Sequence, residues 1–174
     1  MREFGFLARQ PRLQLWALAI AGTVVALDRV LKLMTQDLLQ RGHAWPSEDW
    51  PVRFVHAVNT GAAFGILRGQ TSLLVIVSAI GIVLFGYALL RSPWQLIQRL
   101  GLSLGLGGAI ANFIDRVSTG EVVDSLKIAY WPAFNLADVA ITFGVALILW
   151  NAVRDGGTPD EGSDHGRGAD PATN

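Results

Sequence analysis

The sequence predicts an all-α integral membrane protein built on four transmembrane helices. Two observations carry this. Hydrophobic residues make up 51% of the 174 residues and charged ones only 16%, whereas about a quarter of a soluble domain is charged. The uncharged residues are gathered into four long stretches, as bilayer crossings of about 20 mainly apolar residues require. The chain also has no cysteine, which excludes a disulfide framework, a thiolate nucleophile and Cys-based metal sites. With a formal net charge of zero, it lacks the basic surface that nucleic-acid binding needs, and no nucleic-acid partner is expected.

The first span, about 13–33, begins with the uncharged run Leu13 to Leu27 and continues as a helical pattern through Asp28, Arg29 and Lys32. Arg2, Arg9 and Arg12 ahead of it also outline a signal peptide. The helical pattern runs on past any cleavage point, and three further spans follow, so an uncleaved anchor is preferred. Residues 35–71 form a polar loop with Pro46 and Pro51, in which the alternating run Val52 to Val58 reads as a short strand. The second span, about 69–90, is free of charge. A short loop at 91–99 leads to the third span, about 100–116, which ends at Asp115-Arg116. Loop 117–133 is apolar enough to lie against the bilayer surface. The fourth span, about 134–153, has Asp138 as its only charge. Residues 1–153 are thus read as one membrane domain. Residues 154–174, rich in Gly and Asp, bury too little to order themselves and are expected to be a disordered cytoplasmic tail. Basic residues are denser in 1–12 and 91–99 than in 35–71 and 117–133, which puts the termini in the cytoplasm.

Four alternating spans bring the end of the first, the end of the third and the start of the fourth to one membrane face. That face collects Asp28, Arg29 and Lys32, then Asn112, Asp115 and Arg116, then Asn135 and Asp138; its loops add Asn59 and Asp124. Charges within a bilayer cost about 2.5–3.5 kcal/mol each at a helix centre, so a gathering of them points to a polar site. Asp28 and Lys32 are spaced i,i+4, as are Asn112 and Arg116, while Asn135 and Asp138 are i,i+3, so each pair shares a helix face. Interfacial snorkelling and polar glue between helices explain Arg29 and Asp115 equally well. Asp138 is too short to snorkel and lies inside an apolar run, which favours function. Two neighbouring carboxyls share a proton, so one can act as base for water while the other protonates a carbonyl oxygen or leaving amine. Spacing alone does not choose Asp124 over Asp28 or Asp115 as the partner of Asp138.

Gly101-Leu102-Ser103-Leu104-Gly105 matches the G-x-S-x-G serine pattern. That chemistry needs a strained strand-to-helix turn and a nearby His, but Ser103 sits mid-helix, and small residues spaced as Gly101 and Gly105 more simply let helices approach. No zincin motif is present. A non-enzymatic alternative is a four-helix transporter subunit whose intramembrane charges serve ion passage.

Five segments resemble, in order and spacing, the motifs of the lipoprotein signal peptidase (signal peptidase II) family. They are Asp28 to Lys32; Asn59 to Gly65; Gly107 to Arg116; Val122-Val123-Asp124; and Trp131 to Asp138. The resemblance implies an intramembrane aspartyl endopeptidase that removes signal peptides from diacylglyceryl-modified bacterial prolipoproteins at the outer face of the cytoplasmic (inner) membrane. It implies Asp124 and Asp138 as the catalytic pair, and Asn59, Asn112, Arg116 and Asn135 as substrate-positioning residues. Asp28, Lys32, Gly61 and Gly108 would give structural support. No metal and no cofactor are implied. The expected partners are the modified prolipoproteins and membrane lipids, and the expected state is a monomer. The family also implies a small extracytoplasmic β-sheet, made partly from 35–71, and a lid loop or short helix in 117–133. Two positions depart from the usual pattern. Ala111 stands where Gly precedes the Asn, and Ser125 where an aromatic follows the first catalytic Asp.

Overall fold

The computed structural model describes residues 11–61, 69–91 and 95–155. Among them are four helices, α1 (Pro11–Leu38), α2 (Thr71–Arg91), α3 (Leu96–Thr119) and α4 (Leu136–Asp155), and three strands, β1 (Ala44–Trp45), β2 (Val52–Asn59) and β3 (Val122–Ile128). The helices overlap the four expected spans but keep their own ends. α1 runs to Leu38, since nothing between Leu33 and Leu38 breaks a helix. α3 likewise continues past Arg116 until Gly120, whose left-handed φ of 77° lets its N–H return to the Arg116 carbonyl at 3.1 Å. Among the described residues, α2 and α4 are long and apolar enough to cross a membrane, with mean hydropathies of 2.7 and 1.9. Asn59 to Gly61 of the second motif are described. Ala62 to Gly65 and the expected disordered tail beyond residue 155 lie outside the described residues.

Helix α3 is the centre of the bundle, and its glycines explain how. A Cβ on Gly107 would come within 2.7 Å of the Ala21 carbonyl of α1. One on Gly108 would collide with the Ala137 carbonyl of α4, and one on Gly101 would lie 2.6 Å from the Gly144 carbonyl. Small residues thus let the helix backbones approach closely. The G-x-S-x-G segment is therefore a packing surface, as expected. Ser103 is buried and gives its hydroxyl to the Arg99 carbonyl one turn back, at 2.7 Å.

The strands form an antiparallel sheet in the order β1-β2-β3. The strand expected at Val52 to Val58 is present as β2. Segment 117–133, expected as a lid loop or short helix, instead supplies β3, the sheet's third strand. Val122 to Ser125 are buried in succession, so the segment lacks the polar-apolar alternation that would have marked it as a strand. Between Phe54 and Ala57 the register with β3 shifts. Phe54 opposes Leu126 and Ala57 opposes Asp124, which places two residues of β2, Val55 and His56, against one of β3, Ser125. The irregularity changes the parity of β2, so that Asn59, opposite Val122, shares a face with Asp124.

Candidate active site

The first turn of α4 organises the site. Asn135 precedes the helix and accepts the Asp138 N–H on its side-chain oxygen at 2.9 Å, as an N-cap does for the third helical residue. The next orphan donor, the Ala137 N–H, is taken by Asp28 Oδ1 of α1, also at 2.9 Å. The i,i+3 spacing of Asn135 and Asp138 is thus a helix-capping relation, and it fixes where the Asp138 carboxyl leaves the helix.

Asp124 hangs between two asparagine amides. Asn135 Nδ2 donates to its Oδ1 at 2.9 Å, and Asn59 Nδ2 donates to its Oδ2 at 3.1 Å. Asn59 reaches it from the same sheet face, while its own oxygen accepts the Gly61 N–H at 2.9 Å and closes the turn after β2. Asn112 of α3 donates to Asp138 Oδ1 at 2.8 Å, and its buried Oδ1 has no partner. Arg116, one turn further, bonds the Ser78 hydroxyl at 3.2 Å and lies 3.5 Å from the Gly61 carbonyl. Ser125, beside Asp124, is fully buried with an unpartnered hydroxyl.

Burial, then the neighbouring Asp138 charge, push the Asp124 carboxyl up to about 7; the Asn135 and Asn59 hydrogen bonds and the Lys32 charge oppose them. Asp138 is half-buried and lines a cavity of about 440 Å³ with Asn59, Val139, Thr142 and the segment Trp131 to Phe134.

Beneath the pair, Lys32 Nζ lies 2.5 Å from Asp28 Oδ2, completing the expected i,i+4 pair, and 2.5 Å from Asp115 Oδ2. Lys32, Asp28 and Asp115 are all buried. Sequence reasoning left Asp115 undecided, because its partner is 83 positions away. Ser78, which anchors Arg116, it missed altogether, a serine in an otherwise uncharged span offering no signal. His56 is buried with Nδ1 2.8 Å from the Leu39 carbonyl, at the junction of α1 and the sheet.

The described chain is therefore a helical bundle with a small sheet over one end and two neighbouring acidic groups at the junction, Asp124 held by two asparagine amides and Asp138 by one. Such a paired-carboxyl site is one on which acid-base hydrolysis can be built. Residues 20–154 match the family model described as signal peptidase (SPase) II. The lipoprotein signal peptidase of Moorella thermoacetica is 41% identical over 147 residues, covering 80% of this chain and 94% of the relative. That of Syntrophotalea carbinolica is 40% identical over 147 residues, covering 80% and 91%. A solved bacterial membrane enzyme, determined by the in meso method at 2.3 Å resolution, superposes with a TM-score of 0.77 at 31% identity, covering 87% of this chain and 94% of its own. A second such enzyme, at 1.9 Å, gives 0.72 at 33% identity, covering 80% and 93%. The chain belongs to the signal peptidase II family and is a peptidase.

Proposed function

We propose that this peptidase removes the signal peptide from diacylglyceryl-modified prolipoproteins at the outer face of the bacterial cytoplasmic membrane, with Asp124 and Asp138 as its acid-base pair. The observation that carries the assignment is the unlike setting of the two carboxyls. Asp124 is 3% exposed and keeps its proton to about pH 7. Asp138 stands at the start of α4, where the helix's partial positive charge and the Asn112 amide both favour a negative group. In this reading Asp138 takes a proton from water as its oxygen attacks the scissile carbonyl carbon, and Asp124 gives its proton to the carbonyl oxygen. On collapse of the tetrahedral intermediate the C–N bond breaks, Asp138 passes the proton it took from water to the leaving amine, and Asp124 recovers its proton from the diol hydroxyl, which restores both carboxyls. The unpartnered Asn112 oxygen and the Arg116 guanidinium face the same junction, and they would position the substrate backbone.

The four helices cross the membrane in this reading, and the termini and the tail lie in the cytoplasm, in line with the basic residues of 1–12 and 91–99. Residues 1–153 act as a single monomeric domain. Apolar side chains such as Ile76, Val83, Leu84 and Leu90 of α2 are more than half exposed in the isolated chain, as lipid-facing residues are. The substrate's two acyl chains would hold the modified Cys at one depth, so that anchoring sets the scissile bond against the carboxyls before side chains are read. The test is cleavage of one prolipoprotein with and without its diacylglyceryl group, using purified protein in detergent. Release of the signal peptide from the lipidated form alone is the expected result. Equal rates on both forms would refute lipid-directed recognition, and no release from either would refute the substrate assignment.

A further inference from the structure

The described contacts close a ring through three helices. It runs from Asp138 to Asn112 at 2.8 Å and along α3 by one turn to Asp115. It then crosses to Lys32 at 2.5 Å, passes to Asp28 at 2.5 Å, and returns to α4 through the Ala137 N–H at 2.9 Å, one residue before Asp138. Asn112 and Asp115 sit on the same helix three residues apart. Beside the close glycine contacts, the grip of Asp115 on Lys32 therefore ties the stretch of α3 that carries Asn112 to α1, one turn from the bond of Asn112 to Asp138.

We propose that Asp115 is a positioning residue of this peptidase: by holding Lys32 from α3 it locks the Asp28 cap on α4 and fixes the reach of Asn112 to Asp138. The proposal rests on the reading of Asp124 and Asp138 as the acid-base pair. Two features separate it from ordinary polar glue. Asp28 already holds Lys32 as an i,i+4 partner within α1, so the contact that Asp115 adds is one between helices. The other Asp115 oxygen lies 3.4 Å from Arg29, which is half exposed and can be solvated without it. Asp115 thus ties α3 to α1 at the depth of the site, as Asn112 ties it to α4.

Asp115 also shapes the charge around Asp124. The groups that bear on Asp124 are Asp138 of α4, Lys32 of α1 and the amides of Asn135 and Asn59, with Arg116 of α3 interacting in turn with Asp124. The Lys32 cation favours ionised Asp124, and Asp115 offsets that cation. Replacing Asp115 by a neutral residue leaves Lys32 less balanced, so Asp124 gives up its proton at lower pH. Because Asp124 is the proton donor, the high-pH limb of the rate profile moves to lower pH.

The experiment measures kcat, KM and the pH profile of Asp115→Asn and Asp124→Asn on a fluorogenic diacylglyceryl lipopeptide in detergent, alongside the folded fraction. For Asp115→Asn the expected result is a kcat lowered about tenfold or more at nearly unchanged KM, with the high-pH limb displaced acidward and Asp124→Asn inactive. If Asp115→Asn does not insert, Asp115→Glu is measured instead. It keeps the charge but lengthens the arm, and it should lower kcat with the limb in place. A kcat that falls only in proportion to lost folded protein, or a wild-type kcat and limb beside a dead Asp124→Asn, overturns the positioning role and leaves the peptidase pair standing. Turnover by Asp124→Asn overturns the pair itself.

Discussion

Replacing Asp124 by Asn should abolish cleavage while making the fold more stable at high pH, and the size of the second effect follows from the site. The carboxyl is raised from 3.8 to about 7 in the folded protein, chiefly by burial. A carboxyl raised by folding contributes stability that is complete below its unfolded value, near 4, and is lost as pH rises through about 7. About three units at 1.36 kcal/mol each give a cost of about 4 kcal/mol at pH 8 relative to pH 4. The Asn variant escapes that cost because it does not ionise. It has only one acceptor oxygen where Asp124 has two, so either the Asn59 or the Asn135 amide loses its partner, which costs about 1–3 kcal/mol at every pH. The variant should therefore be less stable than the parent near pH 4 and more stable by about 1–3 kcal/mol at pH 8. Unfolding in mild detergent, followed by circular dichroism against SDS mole fraction at a series of pH values, measures the difference. A stability difference that stays flat between pH 4 and pH 8 would show that Asp124 is ionised throughout and that it is not the proton donor.

Asp138→Asn should lower kcat by about 10²-fold or more, since an amide cannot take the proton of water, and a near-normal rate in the lipopeptide assay would remove Asp138 from the mechanism. The cleavage rate should fall as pH rises above about 7, where Asp124 loses its proton. Asn59→Ala removes a hydrogen bond that favours the ionised form, so it should move that fall to higher pH; no movement, or movement the other way, would contradict the assigned geometry. Gly108→Val should push α4 off α3, because even a Cβ there collides with the Ala137 carbonyl, and overpacking of this kind typically costs about 1–3 kcal/mol. Lower unfolding resistance together with lower kcat is expected, and wild-type values for both would refute the close approach.

Much of this site was legible because its residues obey helical spacing. Asp28 and Lys32 at i,i+4 form an ion pair, Asn112 and Arg116 share a face, and Asn135 stands three residues before Asp138 as a cap must. Alternating spans also placed these groups at one end of the bundle before any contact was known. What escaped depends on long-range geometry. The β2 register shift has no local signature in Phe54 to Ala57, yet it decides that Asn59 faces Asp124. β3 is buried along Val122 to Ser125, so period-two patterning could not reveal it. Composition could not separate Asp115 from a snorkelling residue, since its role is set by a lysine on another helix.

In the proposed mechanism the two carboxyls divide their work because the chain places them on different kinds of structure. Asp138 belongs to the first turn of a helix, where unpaired N–H groups and the helix dipole favour an anion. Its own N–H and that of Ala137 are taken by Asn135 and Asp28, so the turn stays closed. Asp124 belongs to a buried strand, which offers no dipole, only the two amides of Asn59 and Asn135 against a large loss of hydration. Asn135 joins both settings: its oxygen caps the helix that carries one carboxyl, and its nitrogen grips the other. A single side chain therefore bridges the two carboxyls of the proposed pair. Asp at this position would keep a capping oxygen but lose the N–H that holds Asp124, and would add a third carboxylate beside that pair.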